Sequence, residues 1–380
     1  MNKKRLDVFH IQVVAHYFKL KSDFINIIQV RKQFQYVLDR FRINPIPITK
    51  DTKNLFQYIN TQQIFWKHSL VKDTNWELGD YEIESPVAEI LQYNCEVTYS
   101  QYLEMLQKKT KQIRFKAITY TAYDKCKYGR RIPEGVQVIG SYCFEDDKRT
   151  KIEIPKSVTK ISDFSFWKCQ HLKSICIPNN VVSLGFSSFE CCYSLSRVEL
   201  STNITSLKNE TFKNNHKLKH INIPPYLRKI GDSCFVGCEI SEISFPITLT
   251  KINIDCFENC KELTKINIEN IEILPFSIFR NCCNLKEVYL GNSLQIMQSD
   301  CFSNCNSLSN IVLPSSLKSI KHDCFKNCIS LESLTIPKNV TFIGNSCFEG
   351  CKNLKELIIE NEECQILKNC FYGCSSLTKL

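Results

Sequence analysis

From Ile132 onward, apolar residues return along the chain with a period of 22 or 23 residues. The unit "IPKSVTKISDFSFWKCQHLKSIC" shows the pattern, with Ile154, Val158, Ile161, Phe166, Cys169, Leu172 and Ile175 at its apolar positions. Eleven such units run in phase, and each carries the phenylalanine, from Phe144 and Phe166 to Phe348 and Phe371. One unit of this length cannot bury its own apolar side, so the units must stack into a solenoid. Within the unit, "LKSICIP" (172–178) alternates with the period of a strand until Pro178 stops it. Stacked strands of this kind form a parallel sheet with Leu172, Ile175 and Ile177 inward. The stretch from Ser162 to Cys169 fits a helical turn or short helix, with Phe166 and Cys169 on its inward side. The expected fold is therefore a parallel β-sheet on one face with turns and short helices on the other.

The residues between the inward strand positions face out. One outward row reads Ser174, Arg197, His220, Glu242, Lys265, Glu287, Asn310, Ser333 and Glu356; the next reads Cys176, Glu199, Asn222, Ser244, Asn267, Tyr289, Val312, Thr335 and Ile358. The second row turns from polar to apolar along the stack. Glu199, Asn222, Asn267, Tyr289, Val312, Thr335 and Ile358 are accordingly the candidate partner-binding residues, with Tyr289 as an aromatic anchor. The plainer reading is that β-branched residues simply suit exposed strands.

Sixteen of the 22 cysteines fall on two phases of the repeat, one just before the phenylalanine (Cys143, Cys234, Cys324) and one three residues after it (Cys169, Cys260, Cys328). Ser165, Thr211, Asp147 and Asn215 replace cysteine within these rows, which marks a packing slot rather than a chemical requirement. Buried free thiols in two ladders are the expectation. Bridges between neighbouring coils are conceivable by spacing. Zinc fits less well, because C-x-x-x-C encloses a large phenylalanine and no histidine row accompanies it.

The N-terminal part is built differently. Leu6, Phe9, Val13 and Tyr17 share one face of a helix expected over Leu6 to about Leu20. A second helix is expected to start at Asp23 as its N-cap, to bury Phe24, Ile27, Ile28, Phe34, Leu38 and Phe41, and to end at Asn44-Pro45. Residues 55–66 and 100–113 read as helical, and 113–123 alternates like a strand that caps the solenoid. This gives a helical domain over 1–75, a linker and cap over 76–131, and eleven repeats over 132–380. The chain stops at Leu380 midway through a unit, so a partner, a second copy or further sequence is expected to cover that end.

Composition narrows the function. The net charge of +10 is dispersed, with lysines such as Lys151 and Lys173 interleaved with carboxylates, unlike the dense basic face that nucleic acid requires. The opening "MNKKRLDVFHIQVVAHYF" starts like a signal peptide but is broken by His10, Gln12 and His16, and no segment has the length of a membrane span. A cytoplasmic protein without membrane insertion is expected. The seven histidines share no repeat phase, and no phosphate loop, dinucleotide fingerprint, metalloprotease motif or nucleophile elbow occurs. No enzymatic activity, cofactor or metal is expected.

Ile336, Pro337, Val340, Ile343, Gly344, Cys347, Phe348, Cys351, Leu354 and Leu357 resemble the unit of the BspA-like leucine-rich repeats, and the resemblance covers residues 132–380. It implies a leucine-rich-repeat solenoid with a non-enzymatic binding role, in a family frequent among protist and bacterial surface or host-contact proteins. A cell-surface adhesin is one alternative that follows from it. "YFKLKSDFINIIQVRKQF" (17–34) is similar to the centre of an F-box. That resemblance implies an adaptor subunit of a cullin-type ubiquitin ligase bound through residues 6–42, with the repeats holding a substrate. The other reading of these helices is a cap or dimer surface.

Overall fold

The structure, a computed structural model, describes residues 8–30, 32–64, 86, 88–108 and 111–379. The chain forms two compact units, one ending at Thr119 and the other running from Tyr120.

In the first unit, α1 spans Val8–Ala15 and α2 spans Lys21–Val30; Leu6 lies outside the described residues. The inward face of α1 differs from the expected one. Ile11 and Ala15 are buried, whereas Phe9 (65% exposed), Val13 and Tyr17 (80% exposed) face out. The sequence of α1 is apolar nearly all round, so it offers two stripes at i, i+4 spacing and tertiary packing chooses between them. Asp23 is not the N-cap but lies inside the first turn, where its carboxylate accepts the Leu20 N–H at 3.2 Å. The expected second helix gives way after Val30 to two single 3-10 turns, Lys32–Phe34 and Leu38–Arg40. Phe34, Leu38 and Phe41 are nevertheless buried, and Phe24, Phe41 and Phe56 meet edge to face at 5.5–6.4 Å.

Residues 55–64, expected as helix, are turns followed by β1 (Thr61–Ile64); residues 65–66 lie outside the described set. The buried Asn44 side chain stitches this strand down, donating to the Gln63 carbonyl at 2.9 Å and accepting the Gln63 N–H at 2.6 Å. Then come β2 (Ile90–Thr98), α3 (Tyr99–Lys108) and β3 (Gln112–Tyr120). β1, β2 and β3 pair in parallel in that order. The expected helix over 100–113 thus ends early, and the expected strand over 113–123 stops at Tyr120. There Thr121 and Asp124 form a capping box that starts α4 (Ala122–Tyr128).

In the second unit most coils contribute two short strands. A two-residue strand such as Lys229–Ile230 or Ser319–Ile320 belongs to one parallel ladder, which runs in three stretches over 138–184, 206–252 and 273–366. A strand of two to four residues, such as Lys265–Ile268 or Glu287–Leu290, belongs to the exposed sheet. Sequence periodicity identified the second of these strands and not the first. The arc from Ser162 to Cys169 is a run of turns rather than a regular helix. Two residues per coil take left-handed backbone, for example Asp323 (φ 53) and Asn327 (φ 57). Their amides then run along the stack: Asp323, Phe325 and Asn327 donate to Asn345, Cys347 and Glu349 of the next coil at 2.9, 2.8 and 2.7 Å. Asn, Asp and Gly tolerate this conformation best. The position two after the phenylalanine holds one of them in nine coils, with Lys168 and Cys191 the exceptions.

The core is the phenylalanine column. From Phe144 to Phe371, rings of successive coils stack with centroids 5.0–6.0 Å apart and planes 2–21° from parallel. Its first ring is covered by Tyr120 at 6.4 Å and by the Lys125 ammonium at 5.3 Å.

Candidate functional site

The alternation of each exposed strand delivers the predicted outward row to one surface. Glu199, Asn222, Asn267, Tyr289, Val312, Thr335 and Ile358 are all exposed, while Ile175, Val198, Ile266, Leu334 and Leu357 beside them are buried. Parallel in-register pairing holds neighbours side by side, as with Asn267 and Tyr289, or Thr335 and Ile358.

The two halves of the row differ in what their side chains already do. Glu199 is ion-paired with Arg197 at 2.9 Å, and that contact, with help from Cys176, holds its carboxyl below the ordinary value. Asn222 bridges back to Leu200, accepting its N–H at 2.5 Å, and Asn267 donates to Glu269 at 2.8 Å. Tyr289 is oriented: its hydroxyl donates to Glu287 at 3.1 Å, Glu287 pairs with Lys265 at 3.2 Å, and the Lys265 ammonium lies 5.0 Å from the Tyr289 ring. The Lys265–Glu287 hydrogen bond raises the lysine and lowers the carboxyl.

Val312, Thr335 and Ile358 instead line an open trough of about 420 Å³. Ser315, Pro337 and Glu360, which follow the strands, complete it. Sequence reading missed these three, although they share a repeat phase with residues next to the strand ends. Val312 is 75% exposed and is the most exposed apolar residue of the row.

The cysteines have a second role beside packing. Each one three residues after the phenylalanine aims its Sγ at the phenylalanine carbonyl of the preceding coil. Cys169 meets Phe144, Cys260 meets Phe235, Cys305 meets Phe279 and Cys351 meets Phe325, at 3.0–3.2 Å. In the other slot, Cys301 donates to the Gln298 carbonyl at 2.9 Å, as Ser165 does to Ser162 and Thr211 to Lys208. At these three positions a small S–H or O–H donor satisfies both the volume and a buried carbonyl, whereas the Ser188 hydroxyl in the same slot fills the volume without a partner. All the cysteines are free thiols, and burial pushes Cys143, Cys234, Cys260 and Cys351 up to about 12. In native protein at pH 8, a thiol reagent should modify the exposed Cys126 and Cys176 within minutes, while the fully buried ladder thiols such as Cys305 and Cys328 react only after denaturant is added. Peptide mapping of the labelled protein checks this, and prompt labelling of Cys305 or Cys328 would contradict the packing described.

Comparison with known proteins fits this geometry. The BspA type leucine rich repeat region matches residues 137–264 and 250–378, with six copies. A leucine-rich repeat protein from Bacteroides ovatus is similar in structure, with a TM-score of 0.54 and 22% identity over 84% of this chain and 78% of its own. A leucine rich cell surface protein from Faecalibacterium prausnitzii has a TM-score of 0.41 and 22% identity over 64% of this chain and 82% of its own. No curated protein matches the sequence. No helix of the described residues is long and apolar enough to cross a membrane. With a match over more than half its length and a stacked parallel solenoid to go with it, the chain belongs to the BspA type leucine rich repeat family.

Proposed function

We propose that this chain is a non-enzymatic scaffold that holds a protein partner on the exposed sheet of its solenoid, with Tyr289, Val312, Thr335 and Ile358 at the centre of the contact. The observation that supports this reading is the contrast along one row. Glu199, Asn222 and Asn267 are committed to neighbours within the chain, Tyr289 is exposed but held in place by Glu287 and Lys265, and Val312, Thr335 and Ile358 stand in the open over a trough. Contiguous exposed apolar surface rimmed by polar groups is characteristic of interaction sites. Leucine-rich repeat proteins are generally interaction scaffolds, and buried free thiols suit work in a reducing compartment such as the cytoplasm.

Immobilised full-length protein tests the reading. Proteins captured from a lysate of the source cells should be lost, by a factor of about 30 or more in affinity, when Tyr289→Asp or Val312→Asp is introduced. Capture that survives both substitutions overturns the assignment.

One observation favours a second contact on the first unit. Phe9, Val13, Tyr17 and Leu20 form an exposed apolar surface along and beyond α1. It suits a docked helix of another protein, such as the cullin-ligase adaptor expected of residues 6–42. Loss of a co-purified adaptor in Phe9→Asp supports that reading, and absence of any adaptor from the purified complex removes it.

A further inference from the structure

Charge that is dispersed along the sequence gathers on one flank once the coils stack. The ladder of two-residue strands forms that flank, and beside each of its inward residues, such as Ile230, lie two flank positions before it and one after it. From the coil of Ile161 to that of Ile343, these positions hold Lys160, Lys208, Arg228, Lys229, Lys251 and Lys318, all exposed, and the half-buried Lys321. They hold a single carboxylate, Glu272, which accepts the Gln295 amide at 2.9 Å. Among the described residues none of these seven cations forms an ion pair, whereas lysines of the other faces do, as Lys213 with Glu210 and Lys326 with Asp323. Lys208 and Lys321 lie over the rings of Phe186 and Phe342 at 5.5 and 4.6 Å, and Lys318 donates to Gln295 at 2.8 Å, all neutral groups.

The cations are densest on three successive coils, at Lys208, Arg228, Lys229 and Lys251, and Lys229 is the register partner of Lys251. Like charges directly opposite one another on a sheet repel. The exposed sheet uses the same in-register stacking to pair opposite charges: Lys265 stands opposite Glu287 and meets it at 3.2 Å, and Lys355 reaches Glu332 at 2.9 Å. The flank thus keeps a repulsion that the fold relieves elsewhere, and an anionic ligand relieves it. The surroundings narrow the ligand. Beyond the stripe along the coils come carboxylates, Asp163 and Asp232 one position on, Asp255, Asp300 and Asp323 two positions on. A duplex nucleic acid or a lipid surface is broader than the stripe and would press its phosphates against these carboxylates, whereas a single extended chain fits between. Seven coil spacings of about 4.8 Å separate Lys160 from Lys318, about 34 Å in all, the length of about ten extended residues. We propose that this flank takes an extended acidic segment of a partner protein, lying along the stack with its carboxylates on Lys208, Arg228, Lys229 and Lys251. The contact is separate from the one on the exposed sheet.

The test uses the full chain at low salt and four probes: a labelled peptide alternating glutamate and serine, its lysine–serine counterpart, a short labelled DNA duplex, and vesicles containing phosphatidylserine. Fluorescence anisotropy should show binding of the glutamate peptide and none of the lysine peptide. Lys229→Glu with Lys251→Glu should weaken the glutamate peptide about tenfold or more. Lys151→Glu with Lys173→Glu changes the net charge equally outside the stripe and should weaken it less than about twofold. Melting temperature gives an independent readout. Lys229→Gln removes one of two opposed cations, so it should leave the melting temperature unchanged or raise it. Failure of the glutamate peptide to bind, or equal weakening by the two double variants, overturns the proposal. So does tighter binding of the duplex or of the vesicles than of the peptide, which would assign the stripe to another polyanion. A lower melting temperature in Lys229→Gln would show that this cation serves the fold itself, and would overturn it too.

Discussion

Phe257→Ala should destabilise the solenoid by about 3–5 kcal/mol, the usual cost of emptying a fully buried phenylalanine site. The ring is 0% exposed and lies between Phe235 at 5.4 Å and Phe279 at 5.8 Å, so truncation removes two stacking partners and opens a cavity that neither neighbour can fill without leaving its own coil. In a stacked array the loss also weakens the coupling between coils. Denaturant unfolding followed by circular dichroism should shift from one transition to two, because the coils on either side no longer support one another. Phe371→Ala provides the contrast. That ring is only half-buried and meets Phe348 alone, so the expected loss is smaller and the unfolding stays in a single step. Equal losses at the two positions would show that the column is not the source of stability.

Alkaline pH should unfold this protein earlier than its other titrating groups require. Cys143, Cys234, Cys260 and Cys351 are held up to about 12 by burial, against an ordinary thiol value of 9.0. Burial disfavours the thiolate, so in the folded state these groups stay protonated after their unfolded counterparts have ionised. The stability they protect is whole below pH 9 and is lost as the pH rises through about 12. Each such thiol contributes a slope of about 1.4 kcal/mol per pH unit within that window, and four together about 5 kcal/mol per pH unit. Since a whole domain is stable by only about 5–15 kcal/mol, unfolding is expected within one to three pH units above 9. Stability measured against pH in wild type and in a Cys234→Ala, Cys260→Ala double variant checks this. The variant should be less stable at pH 7 because of its cavities, but its stability should fall less steeply by about 3 kcal/mol per pH unit. Identical slopes would assign the alkaline transition to tyrosines and lysines instead.

Packing and titration thus come from the same two rows of side chains, and both rows were legible in the sequence. What was not legible is how the cysteines hydrogen-bond. Substitution by Ser165 and Thr211 pointed to a slot of a given volume, and the same substitutions also carry the signal of a hydrogen-bond donor, since each replaces S–H with O–H. The arc around Phe166 was another partial reading. Three-residue spacing fits a helical turn, but Asn and Gly at the position two after the phenylalanine favour left-handed backbone, which a helix excludes. That row also forms a side-chain ladder, Asn327 donating to Asn304 and Asn304 to Asn281 at 2.8 Å. Gly350 takes the next position and ends the ladder, with φ +74 and the Asn327 Oδ1 lying 2.2 Å from where a Cβ would stand.

The sequence by itself determined the repeat, the solenoid, the inward and outward rows and the burial of the phenylalanines. A period repeated eleven times leaves one way to cover an apolar stripe, which is to stack it on its own copy. Tertiary structure alone decided the rest. It chose Ile11 and Ala15 over Phe9 and Val13 as the inward side of α1, because a short helix apolar all round has no preferred face until something packs against it. It also left the backbone of Asn310–Leu313 unpaired, because hydrogen bonding between coils depends on the relative placement of backbones about 23 residues apart. Side-chain periodicity, which only sorts inside from outside, does not record that placement.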